Sequence, residues 1–523
     1  MRVEHIFFLF LVSGFAVSTI AFGGYVEGFV YEDRHQTGQR DYGDPGIANV
    51  MVSNQYDVVL TDENGYYRLP MGDEGIVFFS KPADYRYVLD DEFLPQFYYV
   101  HRPEGSPQLE YPGISPTGSL PDSVDFGLIR TERRNEFRAI VFGDPQPRND
   151  RELDYFRKAI ISEMAGLGTD MVIVLGDLMF DDLSLFPRYN RIMSALRQPV
   201  INILGNHDIN FDAKDNRYSR ETFISLYGPS YYSFSEGGAH FIVLDNIDYK
   251  GRDGDGIPRY VGNLLADQLK WIERNLKHVG EDKLIVLLGH IPLFEPARDS
   301  NPALRTDDRT ELMAMLENYD NVLFLGAHVH TMSHSFLGED FGRFNSKPLH
   351  QILAATASGS WWLGPKDVYG IPAAVQRDGT PNGYHVFSFS GNSYTERFKA
   401  AGRSPEYQMR FEKPGGVIAT GDTKGTEVRV NVFNGSERSV VRMRVAEGEW
   451  IDMKRMDLST STFFERLRDN EIMPERMRPV PTPHVWRAEL PVELPRGGHR
   501  LEAWTRDAYG QEFSAYKVIE VVD

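Results

Sequence analysis

The sequence predicts an α/β core whose central sheet is covered by helices on both faces, with an all-β sandwich on either side. Three observations predict it. The pattern is strand-like before about residue 130. It then alternates apolar strands with helical stretches to about residue 400. Strand-like alternation returns after that. At 523 residues the chain is too long for one ordinary domain. The changes of period set domains at 24–130, 131–400 and 401–523, after a leader at 1–23.

The leader is predicted to be an export signal. Arg2 and His5 precede an apolar stretch from Ile6 to Phe22, and Ala21-Phe22-Gly23 puts small residues at the −3 and −1 positions of a cut before Gly24. The expected location is periplasmic or secreted, with no stable membrane insertion once the leader is removed. An uncleaved anchor is the alternative, since the stretch is near the short limit for a membrane helix. The chain has no cysteine, which excludes a disulfide framework, a thiolate metal site and a cysteine nucleophile.

From Tyr25 the runs Tyr25–Tyr31, Val50–Val52 and Val58–Leu60 read as short strands, and Thr61–Tyr67 as a turn entering another. Asp33–Asp44 resembles a calcium loop, with Gly38 and several carboxylates. His35 and Thr37 replace the usual ligands, so the expectation is a solvated hairpin loop. Five prolines between Pro103 and Pro121 mark an irregular connector, followed by a last strand near Val124–Leu128.

The core follows. Strands are expected at Ala139–Phe142, Met171–Leu175, Val200–Leu204, Leu284–Leu288 and Val322–Leu325. Helices are expected at Asp150–Met164, Leu185–Leu196, Ser219–Tyr227, Leu264–Leu276 and Glu311–Leu316. In the C-terminal part Val428–Val432 and Val441–Val445 read as strands. Leu494–His499 reads as a turn before the strand Leu501–Trp504, and Asn382–His385 as a hairpin turn into a strand through Phe389.

Five polar islands each follow an apolar run: Asp144-Pro145-Gln146, Gly176-Asp177, Asn206-His207-Asp208, Gly289-His290 and His328-Val329-His330. In helix-covered sheets ligands bind at the carboxyl ends of the strands, so one rule places all five along one rim. Carboxylates, imidazoles and an amide oxygen are the donors that divalent cations such as Mn, Fe, Zn or Mg accept. Two such ions can clamp phosphoryl oxygens and acidify a water. A single island of this kind is more often a helix cap, a turn or a packed histidine.

In their order, these islands resemble the motifs of the calcineurin-like metallophosphoesterase superfamily over roughly residues 137–389, with flanking β domains like those of exported bacterial members. The resemblance implies a four-layer α/β/β/α core and hydrolysis of a phosphate ester by a metal-bridging hydroxide. Asp177 would bridge both ions. Asp144, Gln146 and His330 would complete one, and Asn206, His290 and His328 the other. His207 would be the general acid, supported by Asp208. Two positions depart from the family pattern: Gln146 stands where histidine is usual, and Ala327 where glycine is usual. Ala327 is tolerated if its backbone angle is negative.

Arg148 is a candidate phosphate contact, and Trp361-Trp362 a candidate wall for the leaving group, with buried packing as the plainer role. His240, His278, His334, His350 and His385 match no ligand position and are expected to be structural or on the surface. The formal net charge of −19 argues against duplex nucleic acid or an anionic membrane surface as partner. The expected substrate is a phosphorylated small molecule or envelope component. The competing reading is a non-catalytic or single-metal envelope protein whose β domains bind glycan or protein.

Overall fold

The computed structural model describes residues 24–132, 134–469 and 477–523. The predicted leader, 1–23, lies outside the described residues. Among the described residues no helix is long and apolar enough to cross a membrane.

Two sheets form the centre. One has five strands in the order Val200–Asn202, Met171–Val174, Glu136–Phe142, Gly383–Ser390 and Ser393–Ala400. The first three are parallel and the last two antiparallel. The other has six, from Tyr232–Glu236 through Ala239–Val243, Leu284–Leu288, Asn321–Gly326 and Leu349–Leu353 to Ser333–Leu337. Its four inner strands are parallel.

Alternation along each strand sorts its side chains between two layers. Ala139, Val141, Ile173 and Leu175 join the core between the sheets. Ile140, Phe142, Val172 and Val174 pack instead with Leu153, Phe156, Tyr189 and Ile192 of the helical segments that follow. Phe137 and Phe389 stack at 4.6 Å on the first sheet, and Phe241 of the second sheet meets both, at 6.1 and 5.7 Å. The helices Ala266–Leu276 and Arg309–Met315 contribute Trp271, Ile272, Leu312 and Met313 to that same apolar cluster. The fold is therefore the expected helix-covered α/β sandwich with β domains at both ends.

Two turn expectations are corrected. Gly383 is the first residue of a strand and pairs with Ala400, where a Cβ would meet the Lys399 carbonyl oxygen at 2.1 Å. The glycine serves close strand approach, not a turn. Gly497 and Gly498 likewise begin the long strand Gly497–Arg506, opposite Val521 and Glu520.

The N-terminal domain packs two sheets, of five and four strands. It is fastened to the core by polar contacts. Trp271 Nε1 donates to Ser53 Oγ at 3.0 Å, Ser80 and Ser233 share a hydroxyl contact at 2.6 Å, and Lys81 donates to Ser235 O at 2.7 Å and to Glu236 at 2.9 Å. The C-terminal domain has sheets of four and five strands. Among its contacts with the core is a buried chain of hydrogen bonds. Tyr394 OH donates to His350 Nδ1, His350 Nε2 to His334 Nδ1, and His334 Nε2 to Asn434 Oδ1. Asn434 donates on to Glu396, which also accepts from His385 Nδ1. His385 Nε2 accepts the Ala355 N–H. Every member is satisfied, so the buried polar groups here carry no orphan cost.

His240 is equally buried. Its Nε2 donates to Asn275 Oδ1 and its Nδ1 accepts from Ser235 Oγ, both at 2.9 Å. Burial pushes its pKa down to about 4. The unfolded chain then binds a proton that the folded one refuses, so stability is lost as pH falls from about 6.5 towards 4. The loss reaches about 3 kcal/mol for this group. Melting temperatures recorded between pH 7 and 4 should fall less steeply for His240→Gln than for the wild type.

Candidate metal centre

The five islands leave the carboxyl ends of five strands, three from one sheet and two from the other, and converge. Asp144, Asp177, Asn206, His290 and His330 are buried, and His328 is partly so. The turns off the strands are tight. Asp144, Gln146, Asp177, His328 and His330 all have left-handed backbones, with φ between 37° and 72°. Such conformations cost about 1–3 kcal/mol each and concentrate at functional sites. Gly205 permits the closest approach, since a Cβ there would lie 2.0 Å from the Asp177 amide nitrogen. Ala327 is not among the positive-φ residues, as its tolerance requires.

The hydrogen bonds fix the proton positions on three imidazoles. His290 Nδ1 donates to Leu175 O at 2.7 Å, His328 Nε2 to Ala303 O at 2.9 Å, and His330 Nδ1 to Gly359 O at 2.5 Å. The inner nitrogen of each ring is therefore the one a cation would meet, once any proton on it is displaced. His290 Nε2 lies 3.1 Å from Asn206 Oδ1, 3.2 Å from Asp177 Oδ1 and 3.1 Å from His328 Nδ1. His330 Nε2 lies 3.7 Å from Asp144 Oδ1, a buried oxygen with no hydrogen-bond partner. Lone pairs converging at such distances need positive charge between them. Burial pushes Asp144 up to about 8. His290, although burial opposes its charge, is held at about 9 by Asp177. A proton thus goes where a cation is wanted. The donor set fits divalent metal.

Gln146 is corrected. Its Oε1 accepts the Trp361 Nε1–H at 2.6 Å, and its Nε2 donates to Asp177 Oδ2 at 2.5 Å. The indole N–H can only donate, so it fixes the amide orientation. Gln146 presents nitrogen to the centre and acts as a partner of Asp177, not as an oxygen donor. Asp208 favours the His207 imidazolium through its charge but does not hydrogen-bond or orient the ring. Its carboxylate accepts from Met179 N at 3.0 Å and Gly205 N at 2.9 Å, bracing two of the loops. The carboxylate bound to His207 is that of Asp181, 2.5 Å from Nδ1. Sequence reasoning missed Asp181, which follows an island without belonging to it.

Arg148 binds Glu152 at 2.7 Å and Trp361 O at 2.9 Å, so its guanidinium anchors the tryptophan loop and is no free phosphate clamp. The two tryptophans part company. Trp361 lies 4.3 Å from the His330 ring, whereas Trp362 is buried and packs on Tyr155 at 6.0 Å, which removes it from the leaving-group wall. Three rings absent from the expectation complete the surround. Phe180 stacks on His207 at 4.5 Å, Phe211 stands edge-on to it at 6.5 Å, and Tyr260 meets His328 at 6.0 Å. All four rings are partly exposed around a buried polar floor.

Three family models match the chain. Residues 137–332 match the family model described as calcineurin-like phosphoesterase. Residues 34–111 match the model of its N-terminal part and 352–513 that of its C-terminal part. The chain belongs to the calcineurin-like phosphoesterase family. Metal-dependent hydrolysis of phosphate esters is the chemistry this membership supports, and all five islands lie within residues 137–332. Cell division control protein 1 of Saccharomyces cerevisiae is 26% identical over 201 residues, 33% of this chain and 39% of the yeast protein, so the match spans about two-fifths of that relative. Among solved structures, the purple acid phosphatase PPD1 from yellow lupin (Lupinus luteus) seeds aligns with a TM-score of 0.36 and 13% identity, covering 67% of each chain.

Proposed function

We propose that this calcineurin-like phosphoesterase is an exported hydrolase that uses two divalent ions to cleave a phosphate ester with an organic, partly apolar leaving group. The observation that carries the proposal is the convergence of three inward imidazole nitrogens on Asp144, Asp177 and Asn206. Asp177, Asn206, His290 and His328 would hold one ion, and Asp144, Asp177 and His330 the other. When bound, the ions would neutralise phosphoryl oxygens and lower the pKa of a water.

The chain's own groups do the rest. The carbonyls of Leu175, Ala303 and Gly359 keep the three imidazoles in the ligating tautomer. Asp208 holds the Asp177 and Asn206 loops together. His207, fixed by Asp181 on Nδ1 and by Phe180 on its ring face, has Nε2 left to protonate the departing oxygen. Phe180 and Phe211 lie against that imidazole, which is the reason for assigning an apolar leaving group. Phe180→Ala should raise KM for aryl phosphate esters roughly tenfold, the value of one aromatic contact, and leave methyl esters nearly unchanged. The export signal read in residues 1–23 is the support for a location outside the cytoplasm.

The test pairs elemental analysis with hydrolysis of p-nitrophenyl phosphate and bis(p-nitrophenyl) phosphate, with and without chelator. Two ions per chain beyond those retained by Asp177→Asn, and activity lost on chelation, are expected. The orientation of Gln146 favours a second reading, a protein holding one ion and binding without catalysis. One ion or none beyond those retained by Asp177→Asn, with no turnover across a broad phosphoester panel, would decide for that reading.

A further inference from the structure

We propose a second cation site, remote in sequence from the catalytic islands, in the loop Asp33–Asp44 of the N-terminal domain. The loop follows the strand Gly24–Glu32 and is twelve residues long. Its register puts Asp33, His35, Thr37, Asp41 and Asp44 at positions one, three, five, nine and twelve, with the Gln39 carbonyl at seven and Gly38 at six. Those are the ligand positions, and the obligatory glycine, of a twelve-residue cation loop. Gly38 has φ +73°, as the sharp turn requires.

Thr37 Oγ1 donates within the loop, to Gln39 O at 2.9 Å and Asp41 Oδ2 at 3.1 Å, so the site rests on His35, Asp41 and Asp44. Both Asp33 oxygens accept amides from inside the loop, from Thr37 N at 3.1 Å and Gly38 N at 2.8 Å. Asp44 Oδ2 accepts the Asp41 N–H at 2.9 Å. Asp44 Oδ1 has no hydrogen-bond partner, although its side chain is 0% exposed. A buried, unpaired carboxylate oxygen is costly unless charge of the opposite sign sits beside it. It faces the cluster, 3.8 Å from His35 Nδ1, which is itself 3.9 Å from Asp41 Oδ2. One donor atom from each of these three residues lies within 4.8 Å of the others. The nearby arginines are engaged elsewhere: Arg34 pairs with Glu32 at 3.1 Å, and Arg40 lies over the Phe29 ring at 4.0 Å.

The ligand is a divalent cation. Oxygen donors alone suit calcium, whereas an imidazole in the set suits zinc or manganese. Its effect is structural. The residue after Asp44 accepts the Glu32 amide, and Asp33 donates to Leu128 O, so the loop ties the first strand of the sandwich to its neighbour Phe126–Arg130.

The experiment uses the full chain, stripped with chelator and re-equilibrated separately with CaCl2, MnCl2 and ZnCl2. It compares wild type, His35→Ala and Asp44→Asn. Wild type should carry one ion per chain more than Asp44→Asn, and its melting temperature should rise with a cation that no longer protects the variant. Hydrolysis of bis(p-nitrophenyl) phosphate should be the same in all three proteins, which separates this site from the catalytic one. Calcium retained by His35→Ala assigns an oxygen-only set, and zinc or manganese lost from it assigns His35 as ligand. Identical ion content in wild type and both variants overturns the proposal.

Discussion

Asparagine in place of Asp177 is expected to abolish hydrolysis and empty the metal centre together. Asp177 Oδ1 sits 3.2 Å from His290 Nε2 and accepts the His207 N–H at 2.9 Å, while Oδ2 accepts from Gln146 at 2.5 Å. Its two oxygens therefore meet different partners, His290 and His207 on one side and Gln146 on the other. Burial alone would raise its pKa, yet His290 and His207 hold it well below the usual carboxylate range, so it is an anion at every working pH. The substitution would remove that charge and turn an N–H group towards either His290 or Gln146. Loss of a partner that merely orients a ligand costs about 10–100-fold in affinity. Loss of the shared anion should exceed that. Two measurements check it. Metal content should fall by the two ions of this centre in elemental analysis, and added Mn or Zn should raise the melting temperature less than in the wild type, where filling a site at a hundredfold excess over Kd contributes about 2.7 kcal/mol. A variant that keeps its ions and its rate would remove Asp177 from the centre.

The rim was legible in the sequence because a strand end is a local event. An apolar run followed by glycine and a polar residue shows where Asp144, Asp177, Asn206, His290 and His328 leave their strands, and sheet geometry then gathers those ends. Side-chain partnerships were less legible, because they join distant segments. The orientation of Gln146 is set by Trp361, 215 positions away. Trp361 and Trp362 both have left-handed backbones, φ 57° and 55°, so no strand or helix period says which of them faces His330. Asp208 adjoins His207 in sequence and looked like its partner. The chain turns so that Asp208 binds amides, and Asp181, itself left-handed at φ 67°, reaches the imidazole. The turn expectations failed for a related reason. Gly383 and Gly497 carry the composition of turns, but the close approach of a neighbouring strand explains the first.

His207→Ala should lower kcat by about 10²–10⁴ on alkyl phosphate esters, the range for a lost general acid, without changing metal content. The size of the effect should depend on the leaving group. An alkoxide must be protonated as it departs, whereas p-nitrophenolate is stable enough to leave unaided, so the same variant should lose far less on p-nitrophenyl esters. A residue that only packs against the cleft would slow both classes alike. Asp181→Asn separates positioning from proton transfer. Its amide can still accept from Nδ1 but no longer supports the imidazolium, so kcat on alkyl esters should fall by less than in His207→Ala, with KM little changed. Asp208→Asn should behave differently, because its carboxylate holds the Met179 and Gly205 amides beneath two ligand loops. Its weakened bracing should appear first as lost metal and a lower melting temperature. If Asp208→Asn instead reproduces the leaving-group dependence of His207→Ala while keeping its ions, then Asp208, and not Asp181, supports the acid. The 2.5 Å contact between Asp181 and His207 would then have no part in turnover.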